Sequence, residues 1–436
     1  MTRALASRIA RRASAARRAS VRLAARTPVG AAAAALGLAA LGLVATGGAA
    51  AILLAGPAEA QSSTPARPPA PASAPAGGAI ATVPGMPPVV DPANLYSETR
   101  AGMMSPAVGG ALPRVYVPNV KSNDVYVIDP ATMKVLDKFK VGINPQHVVP
   151  SHDLKTLWVT NNAEGRKDGS LTPIDPTTGK AGKAIPVDDP YNMYFTPDGK
   201  SAMVVAEAFK RLDFRDPHTF KLQGSVPVPR CSGVNHADFS IDGRYLIATC
   251  EYQGSLVKVD WVGRKVLGYL VLSGKGMPQD IRVSPDGRKF FVAEMKRGGI
   301  YLIDGETFKE ERFIPTGVGT HGIYPSRDGK KLYVANRGSQ HVGGPPGGKG
   351  TVSVMDFATG AIDATWEIPG GGSPDMGNVS ADGKTLWLAG RYDDVVYAID
   401  TATGNVTKIP VGREPHGLTV WPQPGRYSLG HTGNMR

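Results

Sequence analysis

Cysteine is nearly absent from this sequence, which has only Cys231 and Cys250 among its 436 residues. A chain with two cysteines cannot be organised around a framework of disulfide bonds, as many small secreted domains are. Long helical periodicity is missing as well, because no extended stretch of residues 113–422 repeats apolar side chains at a helical spacing. These absences exclude a disulfide scaffold and a helical solenoid, and they leave a fold that rests on a β-sheet core.

Motifs of the common catalytic sites are also missing. The sequence contains no G-x-S-x-G, no H-E-x-x-H and no C-x-x-C-H, so a serine-hydrolase elbow, a zinc protease site and covalently attached haem are not predicted. The glycine-rich segment 338–350 lacks the final Ser or Thr of a phosphate-binding loop, and no helix is predicted after it. No catalytic triad is predicted.

Acidic residues are absent from positions 1–29, where eight arginines occur. An apolar run follows from Val29 to Gly56, and Ala58 and Ala60 then flank Glu59. A basic segment, an apolar segment and an A-x-A site in this order are typical of an export signal. We therefore predict that residues 1–60 are a signal peptide or an uncleaved membrane anchor. The rest of the chain is expected outside the cytoplasm, in the periplasm, secreted or at the cell surface.

Most of the net charge belongs to this leader. The whole chain carries +12, and residues 1–60 contribute +7 from eight arginines and one glutamate, which leaves +5 for the remainder. Because nucleic-acid binding needs a clustered basic face, it is not predicted, and membrane contact is expected only through an uncleaved leader. Residues 61–90, rich in Pro and Ala, are expected to be a disordered linker before a lead-in segment at 91–112.

A repeat of about 44 residues dominates the rest of the chain. Its first marker is an Asp-Gly pair between two β-type runs, because glycine tolerates the positive φ of a tight hairpin turn. This marker begins at Asp198, Asp242, Asp286, Asp328 and Asp382, with a degenerate copy at Asp153. The second marker, an apolar strand that ends in Asp, occurs at Asp129, Asp175, Asp216, Asp260, Asp304, Asp356 and Asp400.

Each repeat predicts a four-stranded antiparallel sheet, which is typical of a propeller blade. The first repeat, near Arg114, has only three strands, and the missing strand is predicted at residues 416–421. Pairing of this C-terminal strand with the first three closes the ring and removes exposed strand edges. Residues 113–422 are therefore predicted to form an all-β, seven-bladed β-propeller, monomeric, with residues 423–436 as a tail.

Two short runs resemble the YVTN repeat of extracytoplasmic propellers: Trp158-Val159-Thr160-Asn161 and Tyr333-Val334-Ala335-Asn336. With the Asp-Gly turns, they make residues 113–422 similar to the YncE-like YVTN-repeat proteins. That family shares its fold with surface-layer proteins and with the haem-binding propeller of nitrite reductase. The resemblance implies a propeller that binds a ligand and specifies no activity, because this architecture hosts binding proteins, lactonases and redox proteins.

The innermost strands line the axial tunnel, so residues at equal positions in them are expected to form a ring at one mouth. Six residues before each turn Asp, and at the matching place of the closing strand, this ring contains His147, Asn192, His236, Asp280, Gly322, Met376 and His416. His321 stands one position earlier in its strand. We predict that the ring binds a small molecule or a protein partner, since unpaired buried histidine and aspartate side chains need a ligand or water.

The same histidines allow two further interpretations. Imidazoles bind transition metals, and His147, His236 and His416 are the candidate ligands of a transition metal or a haem-type tetrapyrrole. His147 and His416 lie on adjacent blades, which makes them the better pair. The alternative is structural: each histidine simply hydrogen-bonds a neighbouring blade, as an ordinary feature of this repeat.

The second strand of each blade runs back toward the same mouth, so its end is expected near the ring. Arg337 and Arg391 follow two such strands and are added to the predicted ligand site, and Glu207 and Glu251 follow two others. The segment 338–350 is expected as a loop over this mouth. These positions make the mouth the predicted binding face.

The two cysteines flank the blade that carries His236. An oxidising compartment favours a disulfide between Cys231 and Cys250 at the mouth. The alternative is a thiol pair that binds a metal or takes part in redox chemistry beside His236. In the tail, His431 and Met435 are candidate ligands of a soft metal ion. A polar, glycine-rich terminus is nevertheless expected to fray.

The sequence thus predicts an exported propeller that binds a small molecule or protein partner at its mouth without catalysis. One alternative is a redox propeller that holds a metal or a haem-type group. The other is a lactonase, for which the ring offers only Asp280, with Asp375 beside it.

Overall fold

The computed structural model describes residues 79–436, so the predicted leader and most of the predicted linker lie outside the described residues. Within this range the chain forms seven antiparallel blades around a ring, with a few short 3-10 segments. The prediction of an all-β, seven-bladed propeller is confirmed. Among residues 79–436, no helix combines the length and the apolar character needed to cross a membrane.

The first three blades follow the predicted order of strands. Blade one contains β1 (Arg114–Asn119), β2 (Asp124–Asp129) and β3 (Lys134–Lys140). Blade two contains β4 (Pro145–Pro150), β5 (Leu157–Asn161), β6 (Ser170–Asp175) and, in the outermost place, the short β7 (Lys180–Ala181) and β8 (Ile185–Pro186). Blade three contains β9 (Pro190–Phe195), β10 (Ala202–Ala206), β11 (Arg211–Arg215) and β12 (Leu222–Pro227).

The remaining blades repeat this pattern. Blade four contains β13 (Val234–Phe239), β14 (Leu246–Cys250), β15 (Ser255–Asp260) and β16 (Lys265–Val271). Blade five contains β17 (Pro278–Val283), β18 (Lys289–Glu294), β19 (Gly299–Asp304) and β20 (Lys309–Pro315). Blade six contains β21 (Thr320–Pro325), β22 (Lys331–Asn336), β23 (Thr351–Asp356) and β24 (Ile362–Glu367). Blade seven contains β25 (Pro374–Val379), β26 (Thr385–Gly390), β27 (Val395–Asp400) and β28 (Val406–Pro410).

The ring closes through β29 (Thr419–Trp421), which takes the innermost place of blade one. It pairs antiparallel with β1, so that Arg114 lies opposite Trp421 and Tyr116 opposite Thr419. The C-terminal strand therefore supplies what the first repeat lacks, as predicted. Closure of this kind leaves no open edge between the first and last blades.

The Asp-Gly pairs form the predicted hairpin turns between the first and second strands. In the turn of blade four, Gly243 has φ +74° and the Asp242 carboxylate accepts hydrogen bonds from Ser240 Oγ at 2.7 Å and Arg244 N at 3.0 Å. The degenerate copy adopts the same shape, with φ +65° at Leu154. The Asp side chain thus replaces a backbone acceptor in the turn, which explains why the marker survives without glycine.

The inner strands of the blades carry an irregularity at the positions of the predicted ring. The register with the second strand shifts within β4, β9, β13, β17, β21 and β25. In blade four, the shift falls between Val234 and Ala237, so Asn235 and His236 stand out of the ladder. Such bulges re-aim side chains, and here two consecutive residues of a strand can serve the centre of the ring.

The segment before the propeller is packed where a linker was the expectation. Val83 and Met86 are buried in the core of blades three and four, and Val83 N donates to Asp242 O at 3.0 Å. In the lead-in segment, Leu95 and Tyr96 are buried against blades four to six, and Tyr96 Oη donates to Val283 O at 2.7 Å. The expected disorder through residue 90 is therefore wrong for the described residues 79–90, because their apolar side chains have a core to enter.

The tail after β29 is also ordered and buried, so the expectation of a frayed terminus is wrong. His431, Met435 and Arg436 are at most 3% exposed. His431 N donates to Met193 O at 2.8 Å, and Arg436 Nη2 lies 2.8 Å from Asp238 Oδ1. The tail enters the centre of the ring because it supplies hydrogen bonds and a positive charge to polar groups that are buried there. We call residues 427–436 the plug.

Removal of the plug's positive charge should destabilise the propeller. Arg436→Met leaves the buried Asp238 carboxylate without its ion partner, and we expect the free energy of unfolding to fall by about 3 kcal/mol. Urea denaturation measures this loss. The exposed Arg288, whose side chain is 60% accessible, provides the control Arg288→Met, with an expected change of less than about 0.5 kcal/mol. Equal stability of the two variants would show that the plug adds nothing to the fold.

Candidate functional site

Five histidines meet at the centre of the ring. They are His147 of β4, His236 of β13, His321 of β21, His416 just before β29, and His431 of the plug. Their side chains are 0–3% exposed. We call these five residues the hub cluster. Four of them come from the predicted ring, and the plug brings the fifth from a segment that sequence reasoning assigned to a loose end.

The rings of the hub cluster are in direct contact. The centroid of His147 lies 4.8 Å from that of His416 and 5.1 Å from that of His431. His236 lies 4.8 Å from His431 and 6.2 Å from His321. His147 and His236, from the non-adjacent blades two and four, have centroids 5.4 Å apart, so the cluster joins histidines across the ring. A β-carbon on Gly417 would lie 2.0 Å from His147 Nδ1, so glycine at 417 leaves room for that ring.

The hub cluster divides into two groups of three potential metal ligands. In the first, nitrogens of His147, His236 and His431 lie within 4.8 Å of one another. In the second, His321, Asp375 and His416 satisfy the same limit. The predicted metal ligands are therefore split between the two groups, with His147 and His236 in one and His416 in the other.

Asn192 joins two members of the first group. Its side-chain nitrogen lies 2.8 Å from His431 Nδ1 and 3.2 Å from His236 Nδ1. Asp280 lies beside the same group, with Oδ1 at 3.5 Å from His431 Nε2 and 2.9 Å from Arg282 Nη1. The predicted ring residues Asn192 and Asp280 thus lie beside the first group, where Asn192 contacts His236 and His431 and Asp280 contacts His431.

Asp375 organises the second group. Its Oδ1 lies 2.8 Å from Arg337 Nε and 2.8 Å from His321 Nδ1, and its Oδ2 lies 3.7 Å from Arg391 Nη1. Met376 Sδ lies 3.0 Å from His321 Nδ1. In the sequence Asp375 stands only next to the ring, but the bulge in β25 turns it inward, where it accepts from Arg337 and lies near Arg391.

Burial keeps the hub histidines neutral. It holds the pKa of His147, His236, His416 and His431 well below the usual value, and it lowers the pKa of His321 to about 4. Burial alone would raise the pKa of Asp375, but the charge of Arg337 outweighs it and holds that pKa well below its usual range. The hub therefore contains neutral imidazoles beside an ionised carboxylate.

A pocket lies above the hub at the end of the tunnel where the second strands end. It has a volume of ≈ 210 Å³. We call it the mouth pocket, and its lining includes Gln146, Asn162, Tyr191, Glu207, Glu251, Tyr252, Gln279, His321, Arg337, Arg391, Tyr392 and Gly343 of the 338–350 loop. Its volume is below the roughly 300–1,000 Å³ of ordinary ligand pockets, so it suits a small molecule and does not enclose a haem-type tetrapyrrole.

The predicted ring residues separate into two levels. Of that ligand site, His321, Arg337 and Arg391 line the mouth pocket. His147, Asn192, His236, Asp280, Met376 and His416 are fully buried beneath it. The prediction that the whole ring lines the mouth is wrong, because the bulged strands direct the preceding residue of several blades, such as Gln146 and Tyr191, into the pocket instead.

Charges in the mouth pocket are sorted by side. Arg337 and Arg391 follow the second strands of blades six and seven, and Glu207 and Glu251 follow those of blades three and four. Burial, with the repulsion of Glu251, raises the pKa of Glu207 well above its usual value, and burial also raises the pKa of Glu251. The pocket thus presents guanidinium groups opposite carboxyl groups that resist ionisation.

The cysteines form a disulfide in blade four, with Cα atoms 4.8 Å apart, so no thiol is available beside His236. From the sequence, Asp375 was named only as a neighbour of Asp280 and His431 only as part of a fraying tail, and the pocket tyrosines were not named. Asp375 was readable from its place beside the ring. His431 carried no positional signal, because the plug lies outside the repeat.

The fold and these two levels define a closed propeller with a polar pocket over a buried histidine cluster. The family model for YncE-like β-propellers matches residues 74–424, and the chain belongs to that family. The resemblance drawn from the YVTN-type motifs is confirmed. No protein of curated function matches the sequence.

Solved structures share the fold. The periplasmic gluconolactonase PpgL of Pseudomonas aeruginosa is 20% identical with a TM-score of 0.58, over 72% of this chain and 99% of that chain. A putative 6-phosphogluconolactonase of Bacteroides uniformis is 17% identical with a TM-score of 0.56, over 70% and 98%. The dihydro-heme d1 dehydrogenase NirN is 14% identical with a TM-score of 0.53, over 73% and 77%. At such identities the likeness shows the fold alone.

Stability should fall with acid because the hub histidines are neutral in the folded chain. Their pKa is about 6.5 when unfolded, so below that pH the unfolded chain binds more protons, and stability declines. For His321 the loss runs from about pH 6.5 to about pH 4, and the other hub histidines add to the loss as the pH falls below about 6.5. Each histidine adds a slope of about 1.4 kcal/mol per pH unit.

Denaturation in urea at pH 7, 6 and 5 measures this slope. His147→Asn should reduce it by about one proton, because one neutral buried imidazole is removed. The exposed His218 supplies the matched variant His218→Asn, for which no change of slope is expected. Identical slopes for the two variants would mean that His147 is not held neutral by the fold.

Proposed function

We propose that this propeller acts outside the cytoplasm and binds a small polyhydroxylated carboxylate, such as a sugar acid, in the mouth pocket. The observation that carries the proposal is a pair of buried guanidinium donors. Within residues 79–436, neither Arg337 Nη2 nor Arg391 Nε has a hydrogen-bond acceptor, although both atoms are buried. Buried donors of this kind are costly unless a ligand or water accepts from them.

The charges support an anionic ligand group. Arg337 and Arg391 bring two positive charges to their side of the pocket, and Asp375 balances one of them. On the arginine side one positive charge is therefore left for a carboxylate, while Lys121, Glu164 and Glu414 also line the pocket. Arginine suits this role, because its planar fork of N–H groups matches the two oxygens of a carboxylate.

The opposite side supports hydroxyl groups on the ligand. A carboxyl with a raised pKa, as in Glu207, donates a hydrogen bond when protonated and accepts one when ionised, so it can pair with a hydroxyl in either state. Gln146 and Gln279 add amide donors and acceptors, and the tyrosine rings add apolar surface. The similarity in fold to gluconolactonases agrees with a sugar acid or its lactone as the ligand class.

Arg391 is the residue to test, because it lines the pocket while Arg337 also holds Asp375 in place. Arg391→Gln should weaken the binding of D-gluconate by about 2 kcal/mol, roughly thirtyfold, since a charge-assisted hydrogen bond is lost. Isothermal titration calorimetry measures the affinity. Arg288→Gln, on an exposed turn away from the pocket, should bind as the unaltered protein does. No heat of binding for any of a panel of sugar acids would refute the proposal.

A hydrolase is the second candidate, favoured by the neighbouring carboxyls of Glu207 and Glu251. A carboxyl with a raised pKa next to another is able to act as a general acid or base. A lactone ring bound by the arginines would place its ester near these groups.

Lactone hydrolysis decides between binding and catalysis. If Glu207 is the proton donor or acceptor, the protein should open D-glucono-δ-lactone above the background rate, and Glu207→Gln should lower kcat by at least about a hundredfold. A pH-indicator assay follows the acid released, with Arg288→Gln as the control. Gluconate binding without hydrolysis above background would exclude the hydrolase and keep the binding function.

A further inference from the structure

We propose that the hub binds one late first-row transition metal ion, copper or zinc, between His147, His236 and His431, with the plug supplying the third ligand. The site lies beneath the mouth pocket and does not depend on the ligand proposed there. It uses the first of the two groups of donors in the hub cluster. One ion bound by these three imidazoles would connect β4, β13 and the plug.

The donor set fits these metals. Imidazole nitrogen is a ligand for zinc, copper and nickel, whereas calcium and magnesium take oxygen ligands. With zinc–nitrogen bonds of about 2.0 Å, ligand nitrogens around a tetrahedral ion lie about 3.3 Å apart. The three nitrogens already lie within 4.8 Å of one another, so side-chain movements of about an ångström would complete the site.

The unpaired nitrogens of the hub point to a ligand. Within the described chain, both ring nitrogens of His147 and the Nε2 atoms of His236 and His431 are buried and have no hydrogen-bond partner. The structural interpretation, in which each histidine bonds a neighbouring blade, holds for His416, whose Nδ1 lies 3.2 Å from Gln146 O. It does not hold for His147, and a buried polar group in that state is costly.

Asn192 gives the first group a defined orientation. It contacts Nδ1 of both His236 and His431, which leaves their Nε2 atoms as the free nitrogens. Metal-bound histidines commonly use one nitrogen for the ion and the other for an outer partner that fixes the ring. On metal binding the Asn192 amide would turn so that its oxygen accepts from both Nδ1–H groups, in place of the bond that Met193 N now donates to that oxygen at 2.8 Å.

The second group is less suited to the ion. Asp375 is already engaged by Arg337, and His321 Nδ1 is shared between Asp375 and Met376. By contrast, the carboxylate next to the first group, Asp280, has Oδ1 only 3.5 Å from His431 Nε2. Asp280 is itself paired with Arg282, but the first group needs no carboxylate ligand because its three donors are all imidazoles.

The backbone of the plug fixes where His431 stands. Gly430 has φ +94°, and a β-carbon there would lie 2.6 Å from Met193 O, so glycine lets the tail approach β9. His431 N then donates to Met193 O, and Asn434 Nδ2 donates to Asp238 Oδ1 at 2.8 Å. Because the ion would bind only when the plug is docked, metal binding and plug docking would stabilise each other.

The test uses metal uptake during refolding, since the site is buried. The protein is unfolded with a chelator present, refolded with Cu²⁺, Zn²⁺ or Mg²⁺, and freed of excess metal by gel filtration, after which bound metal is counted and the melting temperature measured. We expect about one copper or zinc per chain, a higher melting temperature, and no retained magnesium. Failure of the unaltered chain to retain copper or zinc would overturn the proposal.

Variants locate the ion. His431→Gln and His147→Gln should each lower affinity for the metal at least tenfold, and Asn192→Ala should lower it by roughly ten- to a hundredfold. The control is a double variant at two exposed histidines, His218→Gln with His341→Gln, which should retain the metal. Unchanged uptake by both hub variants would overturn the proposal.

If the hub variants do not fold, Cu²⁺ bound to the unaltered protein is examined by electron paramagnetic resonance. Nitrogen hyperfine structure from imidazoles supports the site, and a spectrum without nitrogen ligands overturns it. Gluconate binding by the same metal-free and metal-loaded samples is measured in parallel, so that failure of the mouth proposal and failure of the metal proposal are told apart.

Discussion

Charged groups buried at the centre of the ring must be paired, and this requirement governs how the blades meet. Three fully buried aspartates each face an arginine: Asp238 faces Arg436, Asp280 faces Arg282 and Asp375 faces Arg337. A single unpaired charge at such depth would cost several kcal/mol. The seven blades can therefore meet around a polar axis only if the partners arrive from β17, from the end of β22 and from the plug, and the hub histidines occupy the space between these pairs.

Irregular inner strands place the side chains of the hub cluster and of the mouth pocket. At the tunnel edge of the inner strands, side chains of the neighbouring blade accept from backbone N–H groups: Asp238 accepts from Val283 N at 2.9 Å, and Tyr324 Oη accepts from Gly377 N at 2.7 Å. These bonds hold adjacent blades together. In β4 the bulge sends His147 to the hub cluster and Gln146 to the mouth pocket, so one irregularity serves both levels.

The architecture could be predicted from the sequence because the geometry of each repeat is determined by residues close together in the chain. An Asp-Gly turn needs only its own few residues to form, and seven copies of a strand ending in Asp are enough to count blades. The ring histidines were also readable, since equal positions in equal strands face one axis. The depth of each side chain could not be predicted from the sequence. Whether His236 lines the mouth or lies beneath it depends on a bulge that no residue type indicates. His431 was out of reach because the plug belongs to no repeat, and its place is set by Asp238, almost two hundred residues away.

The dependence of the hub on the plug sets an order of assembly. Blades two to seven are each built from contiguous residues, so their hairpins are local contacts of the kind that form early. The ring, in contrast, closes through a pairing of residue 116 with residue 419, and Asp238 meets its arginine at residue 436. Until the chain has been made that far, six complete blades surround an axis that water must still solvate. The blades of this propeller can therefore reach their native structure before the C-terminal segment completes the centre of the ring.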